Sequence, residues 1–139
     1  MSGNITLTII KPDAFSKNNA VQILKRITDA GFNIVAKKTT QLSLEQAKKF
    51  YEVHKEHEFY NGLVEFMSSG PVLVAMLQKN NAVEDFRKII GKTNPAEATE
   101  GTIRHEFGTS LRANAVHGSD SDENAKGEGD FFFSMLERF

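Results

Sequence analysis

The sequence lacks cysteine, a strong charge bias and long apolar runs. Without cysteine the chain cannot form a disulfide or a thiolate metal site, and it is compatible with a reducing compartment. With 17 basic and 18 acidic residues the formal net charge is −1. A general nucleic-acid binder, which usually carries a basic excess, is therefore not favoured. Any anionic ligand would have to be met by local cations.

No apolar segment approaches the roughly 20 residues that a membrane-spanning helix needs. The segment Met1–Asn4 is polar and lacks the charged and then apolar pattern of an export signal. A length of 139 residues, 40% of them hydrophobic, fits one globular domain over 1–139 with a substantial core. These features predict a soluble cytoplasmic protein that requires neither a membrane nor a nucleic acid.

The first part of the chain alternates strand and helix patterns. Ile5–Ile10 alternates apolar residues with threonine, which predicts a strand. Asn18 or Asn19 can cap the helix that follows, and Gly31 supplies its end. The inward face of this helix is predicted to hold three apolar residues at helical spacing, Val21, Leu24 and Ile27. A second strand, from 33 to about 41, carries two lysines, which favours a sheet edge.

The middle of the chain repeats this alternation. Ser43 and Gln46 have the spacing of a capping box, and the helix they predict carries on one face Leu44, Ala47, Tyr51 and His54. A second amphipathic segment runs from 60 to 67. Val72–Leu77 is apolar without alternation, as expected of a central strand that is covered on both faces.

The last part of the chain begins with a predicted capping box at Asn81 and Glu84. It starts a helix that ends at Gly91 and faces inward through Val83, Phe86 and Ile90. From Lys92 to Arg112 no period is visible, and ordered loops of about 20 residues are commonly functional. The resulting order of strands and helices predicts an α+β fold, a ferredoxin-like split βαβ sandwich with a four-stranded antiparallel sheet.

The stretch Asn114–Ser121 places one histidine, His117, between a short apolar run and a turn of small oxygen-bearing residues. Ser119, Asp120 and Ser121 can each accept a hydrogen bond from a free N–H group at the start of a helix. Asp120 and Glu123 also have capping-box spacing, so a helix is predicted to begin at this turn. A junction of strand and helix fixes the backbone on both sides. An imidazole there can be held in one orientation, as a nucleophile requires. Taken alone, the stretch fits a capped turn with an incidental histidine equally well.

Two other segments resemble known binding motifs but lack residues that those motifs require. Gly91-Lys92-Thr93 resembles the end of a phosphate-binding P-loop, but Phe86 stands where the first glycine is needed and a helix precedes it. The acidic segment from Asp120 resembles a calcium loop, but Ala125 replaces the turn glycine and Phe131 the final ligand. The sequence therefore predicts no dedicated metal cluster.

Asn114–Ser121 resembles the active-site signature of the nucleoside diphosphate kinases, in which a histidine carries a phosphoryl group between nucleotides. The resemblance covers nearly the whole chain, from Lys11-Pro12-Asp13 through Gly101–Arg104 to Phe133. It implies ping-pong transfer of the γ-phosphoryl group from a nucleoside triphosphate to a nucleoside diphosphate through His117. It also implies Mg²⁺ on the nucleotide phosphates, where Asp120 could reach the ion only through water.

The resemblance assigns one group of residues to the nucleotide. Those implied to contact the phosphates are Arg87, Thr93 and Arg104. Lys11 and Asn114 would reach the sugar hydroxyls and the reacting end of the phosphates. Phe59 would stack on the base, with Leu111 on the base's other face. A site of this kind should discriminate weakly among bases, because every base offers a π-face.

A second group is implied to serve the histidine. Glu128 would orient the imidazole of His117, Ser119 would hydrogen-bond the same carboxylate, and Tyr51 would help to position the ring. Two glycines flank Glu128, namely Gly127 and Gly129, and glycine costs about 1 kcal/mol relative to alanine in a helix. The sequence therefore predicts that the helix around Glu128 could fray.

The chain departs from the family pattern at His57–Tyr60, where Arg-Pro-Phe-Phe is common, so the stacking edge near Phe59 could be looser. By resemblance the protein would form homo-oligomers, as dimer-based tetramers or hexamers. The alternative hypothesis is a ferredoxin-like nucleotide-binding or regulatory module without turnover. Retained nucleotide binding with no acid-labile phosphate on the protein would favour that alternative.

Overall fold

The structure, a computed structural model, describes residues 3–139. Its strands form one four-stranded sheet in the order β2-β3-β1-β4, and every neighbouring pair is antiparallel. The strands are β1 Ile5–Ile10, β2 Asn33–Thr40, β3 Val72–Gln78 and β4 Val116–Gly118. The predicted ferredoxin-like sheet is confirmed, with β2 at an edge and β3 inside.

Seven α-helices accompany the sheet within the described residues: α1 Pro12–Ser16, α2 Ala20–Asp29, α3 Leu44–Phe50, α4 Tyr60–Met67, α5 Ala82–Ile90, α6 Ile103–Phe107 and α7 Asp122–Phe132. Short 3₁₀ helices occur at Glu52–His54, Pro95–Glu97 and Met135–Glu137. Among residues 3–139, no helix has both the length and the apolar character needed to cross a membrane.

Strand β3 is buried on both faces, as its unbroken apolar sequence predicts. Alternate side chains point to opposite faces of a strand. Leu73, Ala75 and Leu77 therefore join one core cluster with α2 and α5, while Val72, Val74 and Met76 join the other with α3, α4 and α7. The sheet consequently carries a hydrophobic core on each side.

Two helices were not predicted. Pro12 occupies the first position of α1, where its missing N–H costs nothing, so the chain turns into a helix directly after Lys11. Within the long segment 92–112, Thr102 accepts a hydrogen bond from the backbone N–H of His105 and starts α6. This short helix is what holds Arg104 in place.

The capping predictions had mixed outcomes. The Ser43 and Gln46 capping box is present. Asn81 makes no cap hydrogen bond because it lies in the left-handed region at φ 56°. The box predicted for Asp120 and Glu123 is also wrong: the N-cap is Ser121, whose hydroxyl accepts from the backbone N–H of Asn124.

Of the three residues predicted to face inward on α2, Ile27 is buried and Leu24 packs against the core, but the prediction is wrong for Val21. Val21 is 77% exposed, whereas Ile23 and Ile27 are fully buried in the core cluster shared with α5. The inward stripe of α2 follows Ile23 and Ile27, one helical turn apart, and Val21 lies on the solvent side. On α3, similarly, Ala47 is buried and Leu44 is 42% exposed.

We expect Ile23→Ala to lower the free energy of unfolding by about 2 to 5 kcal/mol, because it leaves a cavity in a closed core. Val21→Ala, in the same helix, should change it by no more than about 0.5 kcal/mol. Urea denaturation of the two variants beside the wild type measures both effects. Similar losses in the two variants would contradict this placement of α2.

Candidate active site

His117 lies in the middle of β4, and Ile9 of the central strand β1 is its partner. Paired residues of neighbouring strands place their side chains on the same face of a sheet. Because side chains alternate along a strand, Lys11 shares that face with Ile9, and its N–H continues the ladder by donating to the carbonyl of Ala115 at 2.9 Å. The imidazole and the lysine therefore belong to one side of one sheet.

Glu128 of α7 orients the imidazole. Nε2 of His117 lies 2.8 Å from Oε1 of Glu128, and the two side chains are only 17% and 20% exposed. The hydroxyl of Ser119 donates to the same Oε1 at 2.7 Å and accepts from the backbone N–H of Leu7 at 3.2 Å. A carboxylate in this position makes Nε2 the protonated nitrogen and leaves the lone pair of Nδ1 available.

The glycines beside Glu128 do not interrupt its helix, which runs unbroken over Asp122–Phe132. Gly129 is buried, and a Cβ there would lie 3.0 Å from Cε of Met76 in β3. The small residue lets α7 approach the sheet closely. The predicted fraying at Glu128 is therefore not observed.

Aromatic rings enclose the histidine on its other side. The ring centroid of Phe50 lies 5.5 Å from that of His117, and that of Tyr51 lies 6.3 Å away, both edge-on. Tyr51 is 5% exposed and its buried hydroxyl has no hydrogen-bond partner among the described residues. Burial, and then the negative charge of Glu128, raise the pKa of Tyr51 above its ordinary value. Its hydroxyl is thus a neutral donor on a ring that lies edge-on to the imidazole.

Three cations stand close together without a carboxylate partner. Lys11 is 6% exposed, and burial followed by repulsion from Arg104 lowers its pKa to about 8, with Asp13 acting in the opposite direction. Burial and then the neighbouring Arg87 lower the pKa of Arg104 to about 10. Within residues 3–139 none of the three cations forms an ion pair. Such an uncompensated cluster attracts an anion.

Arg104 also fastens the long segment to the sheet. Its Nη2 donates to the carbonyl of Val116 at 2.9 Å and its Nη1 to that of Gly91 at 3.1 Å, while its buried Nε has no partner. Arg87, in the last turn of α5, is exposed. Arg104 therefore has a structural role in addition to the phosphate contact predicted for it.

The turn before β4 holds a further buried polar atom without a hydrogen-bond partner among the described residues. Asn114 is 2% exposed; its Nδ2 donates to the carbonyl of Thr93 at 3.0 Å, and its buried Oδ1 has no partner. The next residue, Ala115, has a φ of 74°, and its N–H donates to Oδ2 of Asp13 at 3.1 Å. This carboxylate stabilises a strained backbone just before His117. The sequence alone does not single out Asp13, which belongs to the motif Lys11-Pro12-Asp13, as a site residue.

An open cavity of about 810 Å³ lies beside this cluster. Four of the predicted nucleotide contacts line it, namely Arg87, Thr93, Arg104 and Leu111. Lys11, His117 and Phe59 are not among its lining residues. Phe59 is 47% exposed just before α4, and its ring stacks on that of His57, with centroids 4.9 Å apart and planes 12° apart. The two residues predicted to contact the base, Phe59 and Leu111, are therefore exposed, and the ring of His57 stacks on that of Phe59.

Among residues 3–139, no group of three His, Cys, Asp or Glu side chains is arranged to hold a metal ion. Asp120 is exposed, and its Oδ1 accepts a hydrogen bond from the side chain of Asn124. This donor set fits a Mg²⁺ ion that is held chiefly by phosphate oxygens and water, as Mg²⁺ commonly is.

Three comparisons with known proteins agree with this geometry. The family model for nucleoside diphosphate kinase matches residues 4–138. A nucleoside diphosphate kinase of Flavobacterium psychrophilum is 56% identical over 139 residues, covering 100% of both chains. One of Halorhodospira halophila is 53% identical over 132 residues, covering 95% of this chain and 94% of the relative.

Solved structures give the same result. The nucleoside diphosphate kinase of Aquifex aeolicus superposes with a TM-score of 0.96 at 45% identity, covering 98% of this chain and 99% of the other. The halophilic enzyme of Halobacterium salinarum in complex with CDP superposes with a TM-score of 0.94 at 30% identity, covering 99% and 92%. With this sequence match over nearly its whole length, the chain belongs to the nucleoside diphosphate kinase family.

Proposed function

We propose that this protein transfers the γ-phosphoryl group of a nucleoside triphosphate to a nucleoside diphosphate through a phosphohistidine at His117. The observation that carries the proposal is the 2.8 Å contact between Nε2 of His117 and the carboxylate of Glu128. It makes Nδ1 the nucleophilic nitrogen, and the three unpaired cations supply a binding site for phosphates.

The reaction has two half-steps. Nδ1 of His117 attacks the γ-phosphorus, an N–P bond forms, and the bond to the β–γ bridging oxygen breaks as the nucleoside diphosphate leaves. The negative charge of Glu128 stabilises the imidazolium while Nε2 keeps its proton. A terminal oxygen of a second diphosphate then attacks the phosphorus and the N–P bond breaks. The enzyme returns to its starting state, which is a ping-pong sequence.

Positioning and charge stabilisation supply most of the catalysis of phosphoryl transfer. We assign Arg87, Arg104 and Thr93 to the phosphates, because they line the cavity together. Lys11 and Asn114 would contact the reacting end and the sugar hydroxyls with their buried polar atoms. Mg²⁺, bound with the nucleotide, would neutralise phosphate charge, and Asp120 is the acidic side chain that could reach it through water.

The base would lie between Phe59 and Leu111, whose exposed apolar surfaces suit any base. The proposal extends to a single domain over the whole chain, a cytoplasmic location and a homo-oligomer built from dimers as a tetramer or hexamer. Assembly is supported by strand β2, which pairs with a strand on one side only. It is also supported by exposed apolar side chains near the C-terminus, namely Met135, Leu136 and Phe139.

Incubation with γ-labelled ATP and Mg²⁺ should place an acid-labile label on the wild-type protein, and added GDP should remove it as labelled GTP. His117→Ala should take up no label, because the nucleophile is gone. His105→Ala, an exposed histidine of α6, should be labelled normally. A folded wild type that binds nucleotide without any label would refute the relay and support a binding module.

Glu128→Gln should lower the rate of phosphorylation by roughly 10²-fold, because an amide neither fixes the protonated nitrogen nor balances the imidazolium. The variant keeps the size of the side chain, so KM for ATP should change little. Single-turnover labelling measures the rate directly. An unchanged rate would mean that Glu128 does not orient the imidazole.

The apparent kcat/KM should fall as pH rises through about 8, because the free protein then loses the charge of Lys11. The lowered pKa sets the direction of this change, because Lys11 is charged below about pH 8 and neutral above it. Lys17→Ala, which removes an exposed lysine directly after α1, should leave this alkaline limb in place. Lys11→Ala should abolish the limb and lower kcat/KM throughout. A limb that persists in Lys11→Ala would assign it to another group.

A further inference from the structure

Helix α4 contains a glycine, Gly62, at its third position. Glycine is disfavoured inside helices because it loses more backbone freedom than alanine on folding. Gly62 has ordinary helical backbone angles, so no unusual φ requires it. A glycine at such a position points to another group that lies too close for a side chain.

That group is the guanidinium of Arg112. A Cβ atom built on Gly62 would overlap it, with Nη1 only 2.7 Å away and Cζ at 2.5 Å. Arg112 belongs to the long segment before β4, so the contact joins two parts of the chain that are distant in sequence. A guanidinium is flat and can lie against a bare helix surface where an ammonium would keep its water.

The residues next to this contact belong to the proposed base-binding site. Phe59 precedes α4 directly, and Leu111 precedes Arg112 directly, and these two side chains form the walls of the proposed base slot. Leu111 and Arg112 stand at the tip of a tight turn, in which the N–H groups of Thr109 and Ser110 both donate to the carbonyl of Ala113. The turn is closed by its own hydrogen bonds, and the contact between Arg112 and Gly62 places its tip against α4.

We propose that Arg112 is a positioning residue that latches the Leu111 wall to α4 and so sets the width of the base slot. The inference rests on the proposed function, since it takes the base of a nucleotide as the occupant. Within residues 3–139 Arg112 forms no ion pair, so no carboxylate competes for its guanidinium. The latch acts on the base and not on the phosphates or on His117.

The test is a double-mutant cycle with Arg112→Ala, Gly62→Ala and the double variant. Each single change should raise KM for GDP about five- to tenfold, since loss of one wall removes part of the stacking contact, while kcat at saturation stays the same. In the Arg112→Ala background, Gly62→Ala should have no further effect, because the group that its methyl displaces is already absent. Lys55→Ala, an exposed cation at the end of the 3₁₀ turn Glu52–His54, should change nothing.

The second arm uses ribose 5-diphosphate, which has the sugar and phosphates without a base. Equilibrium binding of GDP should weaken in the variants, and binding of ribose 5-diphosphate should not. Equal weakening of both ligands, or additive effects of the two substitutions, would overturn the latch. Failure of the proposed function would show separately, as a wild type that takes up no label, and the binding arm would still test the contact.

Discussion

The shared carboxylate oxygen of Glu128 is the contact on which the arrangement of the site depends. It accepts from the hydroxyl of Ser119 and from the imidazole of His117, and Ser119 in turn accepts from the N–H of Leu7 in β1. One oxygen therefore joins α7, β4 and the centre of the sheet. Partly buried hydrogen bonds of this kind are strong because little water competes for them. The same interaction that docks the helix also selects the nucleophilic nitrogen.

The buried cations of the site, in contrast to the contact at Glu128, destabilise the free protein. A lysine pKa lowered from 10.5 to about 8 means that burying the charge of Lys11 costs about 3 kcal/mol at neutral pH. This cost is fully present below about pH 8 and is relieved as the pH rises toward the value of the unfolded chain. The fold tolerates this free-energy cost because two hydrophobic clusters stabilise the sheet. A bound phosphate would recover much of the same free energy, which is how a site destabilising to the free protein favours its ligand.

Much of the fold could be predicted from the sequence, because strand alternation, unbroken apolar runs and glycine stops are local signals. Strands β1, β2 and β3, the edge position of β2 and the Ser43 capping box followed from them. The errors arose where several residues compete for one role. Ser121, and not Asp120, caps α7, and Asn81 adopts a left-handed conformation instead of capping α5. Helix α6 was missed because its five residues are too few to show a period.

The residues of the candidate site also fall into two groups, those that the sequence identifies and those whose roles only the structure reveals. His117, Glu128 and Ser119 were named from their resemblance to a known signature, and the structure brings their side chains together. Asp13 stands in a motif that carries the resemblance, but the roles of Asp13 and Arg112 depend on atoms that only the fold brings near: the N–H of Ala115 and the bare surface of Gly62. A short polar side chain that follows a strand, such as that of Asp13, can accept hydrogen bonds from many different groups. The spacing of residues in the sequence does not tell which group it will accept from.

The exposure of the site residues follows a gradient that suits their chemistry. Two residues predicted to serve the reaction, Tyr51 and Asn114, are buried, at 5% and 2% exposed. Phe59 and Leu111, which would meet the base, are 47% and 62% exposed. A buried reaction centre keeps water from the phosphohistidine, whereas open apolar walls hold any base without reading its hydrogen-bonding edge. Selectivity would therefore fall on the phosphates and the sugar, which are common to all the nucleotides that a general phosphoryl carrier must accept.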